Sequence, residues 1–430
     1  MTLAMRIAMQ SVFRNWRHSI ATLFSIALGV VAVAAIHGYI VDVENQFGDF
    51  YIRRAMTGHV IVEAQENDED NASIDGKTSN TIIETARQFP ADLVSVVRFL
   101  DIEGIIAGPN SSFNYHGQAY DVVQGEITRG EHWAWSSLYG RPLSASPENQ
   151  IVVGKGLAEL LGCKTQGLSP KQAKDGRYEP YEGTLDCLNL SYQLTALTDK
   201  NQMNAWDTAI VGVVDAGLRE MEDSWLMMPL DQAQKFVSTD KVTMIGFTLK
   251  DAGQAKDFIT FLKAKFPQSS TKIKVSHWRE HKVSEVFRDM MSIMGVLQLF
   301  ILLVVASVAV LSMVNSIIRN VDERQREIGT LRAIGYKSNF VARIFGWEGF
   351  FLGLFGSALG TLGIMIVLTG INAANILYFP ALISQKVPMR IAFVPVFYLF
   401  LAFLLATGSA LTAMFVAKMR IGKNISDILR

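Results

Sequence analysis

Four long apolar segments constrain this 430-residue chain more than any other feature. Each is as long as the roughly 20-residue helix that crosses a bilayer, and none contains Lys, Arg or Asp. They are Ser19–Val41, Met290–Ile318, Phe345–Leu368 and Phe393–Val416. The chain is 19% charged, below the value of about 25% that is usual for soluble domains. The sequence therefore predicts a membrane α-helical protein with four transmembrane helices.

The charges that flank these segments predict the orientation, because Lys and Arg in short loops stay in the cytoplasm. Arg6, Arg14 and Arg17 precede the first span, and a basic turn separates spans two and three. Lys418 and Arg420 follow the fourth span. We therefore predict a multi-pass membrane protein with both termini in the cytoplasm. The formal net charge of +0 gives no indication of a nucleic-acid partner.

Region 42–287, between the first two spans, has the composition of a soluble domain. Strand-like and helical patterns alternate there, as in the strand Val242–Leu249, the helix Ala252–Phe266 and the strand Ile273–Val275. We predict a large α+β extracytoplasmic domain between the first and second helices. The predicted organisation is an N-terminal interfacial helix (1–18), span one (19–41), the extracytoplasmic core domain (42–287), span two (288–318), a cytoplasmic helix (319–343), span three (344–369), an outer loop (370–392), span four (393–416) and a cytoplasmic tail (417–430). For the first dozen residues, an irregular start to span one is an equal alternative.

Two cysteines, Cys163 and Cys187, bracket a polar loop in this domain. A disulfide is plausible in an oxidising compartment, and two free thiols are the alternative. No Cys/His cluster predicts a metal site, and no Ser/His/Asp or Cys/His arrangement predicts a catalytic centre. We therefore predict a non-catalytic protein.

The stretch Asn320–Gly353 carries the most specific pattern. It predicts a short charged helix, Asp322–Ile334, between spans two and three. Ile328 and Leu331 form its small apolar face, Gly335 ends it, and Ser338 caps the next helix. Four charged residues are expected in solvent: Glu323, Arg324, Arg326 and Glu327. A solvated turn is the alternative interpretation.

Span three contains a glycine stripe and one carboxylate. The stripe consists of Gly346, Gly349, Gly353, Gly356, Gly360 and Gly363. The spacing of three and four places it on one helix face and predicts a packing seam, within the subunit or across a dimer. General glycine enrichment of membrane helices is the alternative. For Glu348, an ion pair with Arg343 or snorkelling is favoured over a role in proton transfer.

The segment ERQREIGTLRAIG (Glu323–Gly335) resembles the ERxREIGxLRAIG signature of the FtsX-like permeases of ABC transporters. That family includes MacB-type exporter domains, the lipoprotein-releasing permeases LolC and LolE, and the cell-division protein FtsX. Weaker similarities are Thr57–Ala64, Val152–Gly162 and Val275–Glu280. The long loop between the cysteines departs from the family pattern.

The resemblance implies mechanotransmission: an ATPase in the cytoplasm moves the outer domains through the membrane helices. The implied coupling residues are Glu323, Arg324, Arg326, Glu327, Ile328, Gly329, Leu331, Arg332 and Gly335. The implied partners are a cytoplasmic ABC ATPase, a second permease copy or paralogue, membrane lipid, and a periplasmic or outer-membrane protein. No GxxxxGK[ST] loop occurs in the chain, so ATP and Mg are expected on a separate ATPase and no cofactor here.

Two functions fit the resemblance. The first is export or release of a lipoprotein, lipid or other amphiphile, which the size of the outer domain favours. The second is an FtsX-like scaffold that regulates a periplasmic cell-wall hydrolase without transport.

Overall fold

The computed structural model describes residues 3–14, 16–65, 73–90, 92–109, 111–130, 138–144, 149–166, 184–267, 273–378 and 386–423. The loop 167–183 and the end of the predicted tail, 424–430, lie outside these residues. The chain divides into two compact units. The helical unit comprises Met1–Glu44, Met290–Ile376 and Met389–Arg430, and the sheet unit comprises Asn45–Asp289 and Leu377–Pro388.

Long apolar helices dominate the helical unit, and short helices occur in both units. In chain order the α-helices are α1 Leu3–Arg14, α2 Trp16–Asp49, α3 Gly76–Ala86, α4 Val122–Arg129, α5 Lys155–Leu160, α6 Leu230–Phe236, α7 Ala255–Lys265, α8 Glu285–Glu323, α9 Gln325–Ala333, α10 Ser338–Ala374 and α11 Pro395–Lys423.

Four of these helices are long and apolar enough to cross a membrane, which confirms that part of the prediction. They are α2, α8, α10 and α11, whose most apolar stretches have mean hydropathies between 2.1 and 2.7. The helices continue past the apolar segments at several ends, because helical hydrogen bonding does not stop where hydropathy falls. Helix α8 is continuous from Glu285, in the sheet unit, to Glu323, in the helical unit.

Helix α10 is the centre of the helical unit. In its most apolar stretch 39% of the residues are buried, whereas in that of α8 none is. Its buried side chains include Phe345 and Leu352, which join a core with Val30 of α2, Met313 of α8 and Ala413 of α11. Helix α8 therefore exposes most of its apolar surface, and lipid or another chain would cover it in a membrane.

The sheet unit is built on a mixed ten-stranded sheet. Its order is β12-β1-β11-β2-β3-β10-β5-β9-β4, with β8 paired to β2 and β9. The strands are β1 Val60–Ala64, β2 Leu93–Ala107, β3 Ser112–Tyr120, β4 Tyr139–Gly140, β5 Gln150–Gly154, β6 Thr165–Gln166, β7 Thr184–Leu185, β8 Ser191–Leu197, β9 Met203–Val214, β10 Trp225–Pro229, β11 Met244–Leu249, β12 Ile273–His277, β13 Leu377–Tyr378 and β14 Val387–Pro388. The pairs β13–β14 and β6–β7 are separate.

The predicted strand–helix–strand unit is present as β11, α7 and β12, but the two strands are not neighbours. Strand β1 lies between them and is antiparallel to both. Helix α7 buries Phe258 and Leu262 in the sheet-unit core. Sequence patterns predicted these three elements but not the position of β1 between the two strands. Strand pairing depends on residues that are distant in the sequence.

Candidate functional site

Helix α9 is a separate element of nine residues between two long helices. The predicted single helix Asp322–Ile334 is wrong at its start: α8 runs to Glu323, and Arg324 leaves the helical conformation with φ −107° and ψ 19°. Gly335 ends α9 as predicted, with φ +101°. Its N–H donates to the Arg332 carbonyl over 3.0 Å, and Tyr336 N–H donates to the Leu331 carbonyl over 3.1 Å. This is the Schellman pattern, which glycine favours.

The predicted cap of the following helix is also wrong. Lys337 is the N-cap of α10, no side chain caps it, and Ser338 is the first helical residue. One residue of displacement is enough to remove Ser338 from the capping position, because only the N-cap side chain reaches the free N–H groups of the first turn.

The apolar face of α9 points into the protein. Ile328 is 6% exposed and belongs to the core of the helical unit, and Leu331 packs against the same core. The two residues form the predicted small apolar face, and this face is covered by the core of the helical unit, which extends to α9. The exposed apolar residues lie at the end of the helix instead: Ile334 is 71% exposed and Tyr336 38%.

Arg324 connects three elements and is not solvated, contrary to the prediction. Its side chain is 13% exposed. Its Nε donates to Glu327 Oε2 over 2.8 Å, and its Nη1 donates to Ser11 Oγ over 2.8 Å. The same Nη1 lies 3.6 Å from Glu348 Oε2. The guanidinium therefore ties α9 to α1 and α10.

Glu348 is fully buried in α10, so it does not snorkel to the surface. Its partners are Arg324 and Asn320, whose Nδ2 donates to Glu348 Oε1 over 3.1 Å. The prediction that Arg343 is the partner is wrong. Arg324 is more distant from Glu348 in the sequence than Arg343 is, but its side chain lies beside Glu348 in the structure. Burying a carboxylate requires such compensation.

The first helix contributes to this polar network through Arg14 as well as Ser11. Arg14 Nη2 lies 3.0 Å from Glu327 Oε1. Hydrogen bonding from Arg324 is the main reason that the pKa of Glu327 is lowered from its ordinary value, and Arg14 acts in the same direction. Ala4, Ala8 and Val12 are buried. The inner face of α1 therefore packs on protein.

The glycine stripe of α10 packs within the chain, and it divides between two neighbours. A Cβ added at Gly349 would lie 2.6 Å from Ala413 Cβ, on α11. One added at Gly360 would lie 2.6 Å from Val30 Cβ, on α2. Gly346 and Gly353 also face α11, whereas Gly356 and Gly363 face α2. The missing side chains let helix backbones approach closely.

The remaining predicted residues of α9 and its start differ in exposure. Glu323 and Arg326 are exposed, and Gly329 and Arg332 are half-buried. In the sheet unit Cys163 and Cys187 form a disulfide, with Cα atoms 5.2 Å apart. In the part of the chain that the structure describes, no group of three or more His, Cys, Asp or Glu residues could hold a metal ion.

Sequence reasoning missed Ser11 and Asn320, and also a polar pair inside the helical unit. Gln298 Nε2 lies 2.9 Å from His37 Nδ1, and the His37 ring stacks on Phe397 at 3.7 Å between centroids. A histidine and a glutamine inside apolar spans were the available signal, but attention to Lys, Arg, Asp and Glu alone overlooked them.

Residues 299–423, which include α9, α10 and α11 and most of α8, match the family profile described as FtsX-like permease C-terminal. This part of the chain is therefore similar to the FtsX-like permeases. It is 29% identical over 152 residues to the lipoprotein-releasing system transmembrane protein LolE of Haemophilus influenzae, covering 35% of each chain. It is 26% identical over 236 residues to LolC of Neisseria meningitidis, covering 54% of this chain and 50% of that one. The matches thus span about a third and a half of these relatives.

One solved structure similar to this chain is the periplasmic region of MacB from Actinobacillus actinomycetemcomitans. The TM-score is 0.34 at 11% sequence identity, and the match covers 55% of this chain and 93% of that one.

Proposed function

We propose that this protein is the permease subunit of an ABC transporter. In this proposal a separate cytoplasmic ATPase hydrolyses ATP, and the change is passed through the membrane helices to the sheet unit. The observation that carries it is α9: a short helix between two spans, held by the Arg324 network and lying inside the region that matches the family. A helix tied to its neighbours can transmit a displacement instead of absorbing it.

The proposed location is the bacterial cytoplasmic membrane, with the sheet unit outside and both termini inside. Support comes from the basic residues before α2, around α9 and after the fourth apolar segment. The disulfide between Cys163 and Cys187 also fits an oxidising compartment outside the cytoplasm.

The ATPase is proposed to dock on the turn that ends α9. Ile334 and Tyr336 are exposed there, and Tyr336 is stacked on Phe340 with ring centroids 4.6 Å apart. Arg326 and Lys337 are exposed nearby in the sequence. The complementary surface is an apolar groove with an acidic rim, because desolvated aromatic and aliphatic side chains supply most binding energy and rim charges set orientation.

The test is co-purification of the ATPase subunit with the full-length permease in mild detergent. Ile334→Asp places a carboxylate in the groove, so we expect it to dissociate or uncouple the ATPase. Lys256→Glu, on the exposed surface of α7, is the control. Ile334 is a better probe than Leu331, because Leu331 packs in the helical unit.

The expected result is loss of the ATPase from Ile334→Asp with normal membrane insertion, and retention in Lys256→Glu. An Ile334→Asp protein that binds its ATPase with wild-type affinity and retains ATP-driven activity would contradict the docking proposal. Failure of any ATPase to accompany the wild-type protein would contradict the proposed transporter role.

The proposed cargo is a lipoprotein, lipid or other amphiphile. The two relatives whose names give this role are lipoprotein-releasing proteins. A second permease copy or paralogue is proposed to cover α8, whose Val296, Leu299 and Phe300 are all more than half exposed. Mass spectrometry of the complex should find acylated protein or bound lipid. Recovery of a cell-wall hydrolase without such cargo would favour the scaffold function instead.

A further inference from the structure

Two histidines cap the short segment that joins β12 to α8. The segment contains two 3₁₀ turns, Trp278–Glu280 and Lys282–Ser284. His277 Nδ1 accepts the Arg279 N–H over 3.2 Å, and His281 Nδ1 accepts the Val283 N–H over 3.2 Å. Each turn therefore depends on an unprotonated Nδ1.

His281 also uses its other ring nitrogen. Its Nε2 lies 2.7 Å from Glu63 Oε2 on β1, and the second oxygen of Glu63 accepts from Lys274 Nζ over 2.7 Å. His281 is 4% exposed. One neutral tautomer satisfies both contacts, because it accepts at Nδ1 and donates at Nε2.

The backbone around His281 is held as well. Ser284 Oγ donates to the Trp278 carbonyl over 2.5 Å, and Arg288 Nη1 donates to the His281 carbonyl over 2.7 Å. Two carboxylates interact with the imidazole: Glu63 from β1 by direct contact and Asp101 from β2 electrostatically. Two cations lie beside them, Lys274 from β12 on Glu63 and Arg288 from α8 on the His281 carbonyl.

An aromatic cluster packs beside this segment in the sheet unit. Trp278 stacks on Tyr51 with ring centroids 5.5 Å apart, and Phe287 lies 5.5 Å from Trp278 and 5.3 Å from Phe47. Phe287 belongs to the first turn of α8. Apolar packing thus fixes one side of this turn, and the polar contacts of His281 fix the other.

We propose that Glu63 and His281 are positioning residues that hold the 3₁₀ turn Lys282–Ser284, which leads into α8, against β1, and that protonation of His281 on Nδ1 releases this turn. A proton on Nδ1 faces the Val283 N–H, so two donors oppose each other and the cap is lost. The Glu63 contact survives, because the imidazolium still donates from Nε2. The idea that the segment between β12 and α8 transmits movement along α8 rests on the proposed function. The sensitivity of this segment to acid does not.

The test is hydrogen exchange of the full-length protein in lipid nanodiscs, read in the peptide that covers residues 281–288, which excludes the Arg279 N–H held by His277, and corrected for intrinsic rates. Between about pH 7.5 and about pH 5.5, where histidine changes charge, we expect wild-type protection to fall about tenfold, the effect of one lost hydrogen bond. His281→Asn should keep its protection at both pH values, because Asn Oδ1 accepts the N–H two residues on and does not titrate. His281→Leu should be poorly protected at both. His116→Asn, at a partly exposed histidine paired with Glu103, should behave as wild type.

Three results would overturn the proposal: equal wild-type protection at the two pH values, an acid-induced loss in His281→Asn as large as in wild type, or full protection of His281→Leu. None of these measurements needs an ATPase. Failure of the proposal for His281 is therefore distinguishable from failure of the transporter proposal. The co-purification experiment tests the transporter proposal.

Discussion

A single arginine decides how α9 is held. The sequence places Arg324 in a charged run, where solvent exposure is the natural expectation. The backbone break at Arg324 turns the side chain inward instead, so that it contacts Ser11, Glu327 and Glu348 together. A buried ion pair of this kind is weak evidence for stability, but removing one partner leaves an uncompensated charge.

We expect Arg324→Met to destabilise the helical unit by about 3–5 kcal/mol, because Glu348 stays buried without its cation. The double variant Arg324→Met, Glu348→Met should be more stable than Arg324→Met alone, since the unpaired carboxylate is gone. Thermal unfolding in one detergent measures both, with Arg326→Met as the exposed control on α9. A double variant no more stable than the single one would contradict the role given to Glu348.

His59 predicts a pH dependence in the sheet unit. Burial is the main cause that lowers its pKa from 6.5 to about 4, and the nearby His277 and Arg53 act in the same direction. Its Nδ1 accepts the Leu249 N–H over 3.1 Å. As the pH falls from about 6.5 to about 4, His59 binds a proton in the unfolded chain but not in the folded chain. The free energy of unfolding therefore falls.

The variant His59→Asn keeps an acceptor and removes this titration. We expect its unfolding temperature to drop less than that of wild type between about pH 7 and about pH 4.5. His116→Asn is the matched control, because His116 is 42% exposed. Parallel curves for wild type and His59→Asn would show that His59 does not contribute.

At the scale of elements, close helix packing depends on glycine at chosen positions. Gly349 faces the Ser409 carbonyl as well as Ala413, and an added Cβ would lie 2.6 Å from that carbonyl oxygen. Backbone cannot move aside as a flexible side chain can. Gly370 lies in the same helix, but nothing within 4 Å would meet an added Cβ.

We therefore expect Gly349→Ala to destabilise the helical unit by about 1–3 kcal/mol, the usual cost of overpacking. Gly370→Ala should be neutral or stabilising, because alanine favours helix over glycine. Thermal unfolding in detergent compares the two. Equal stability would mean that α10 and α11 can separate without penalty.

Sequence patterns predicted the elements best where one period runs without interruption. The four apolar helices follow from their hydropathy, and β8 from the alternation in Ser191–Leu197. Strand β2 was missed, since Asp101, Glu103 and Gly104 interrupt its pattern. Tertiary contacts were not predicted, for another reason. The burial of Ile328 and the pairing of Arg324 with Glu348 depend on residues that are distant in the sequence.

At the scale of the whole molecule, the proposed orientation is the property that most needs a test. In a chain with Cys163 and Cys187 replaced by Ser, a single Cys at Lys256 should react with a membrane-impermeant thiol reagent in intact cells with a permeable outer envelope. A single Cys at Thr330 should react only after the inner membrane is opened, because positive loops stay inside. Both residues are exposed in the structure. Reaction at Thr330 in intact cells would contradict the proposed orientation.

The divided glycine stripe has a consequence for biosynthesis. The helices leave the ribosome in the order α2, α8, α10, α11, so α2 already waits in the membrane when α10 arrives. Gly356, Gly360 and Gly363 can then pack on α2 at once. Gly346, Gly349 and Gly353 must face lipid until α11 follows, because their partner is synthesised last. In a nascent chain arrested before Pro395, the glycines that pack on α2 are therefore covered and those that pack on α11 are exposed. These exposed glycines are a feature by which membrane quality control could recognise the incomplete chain.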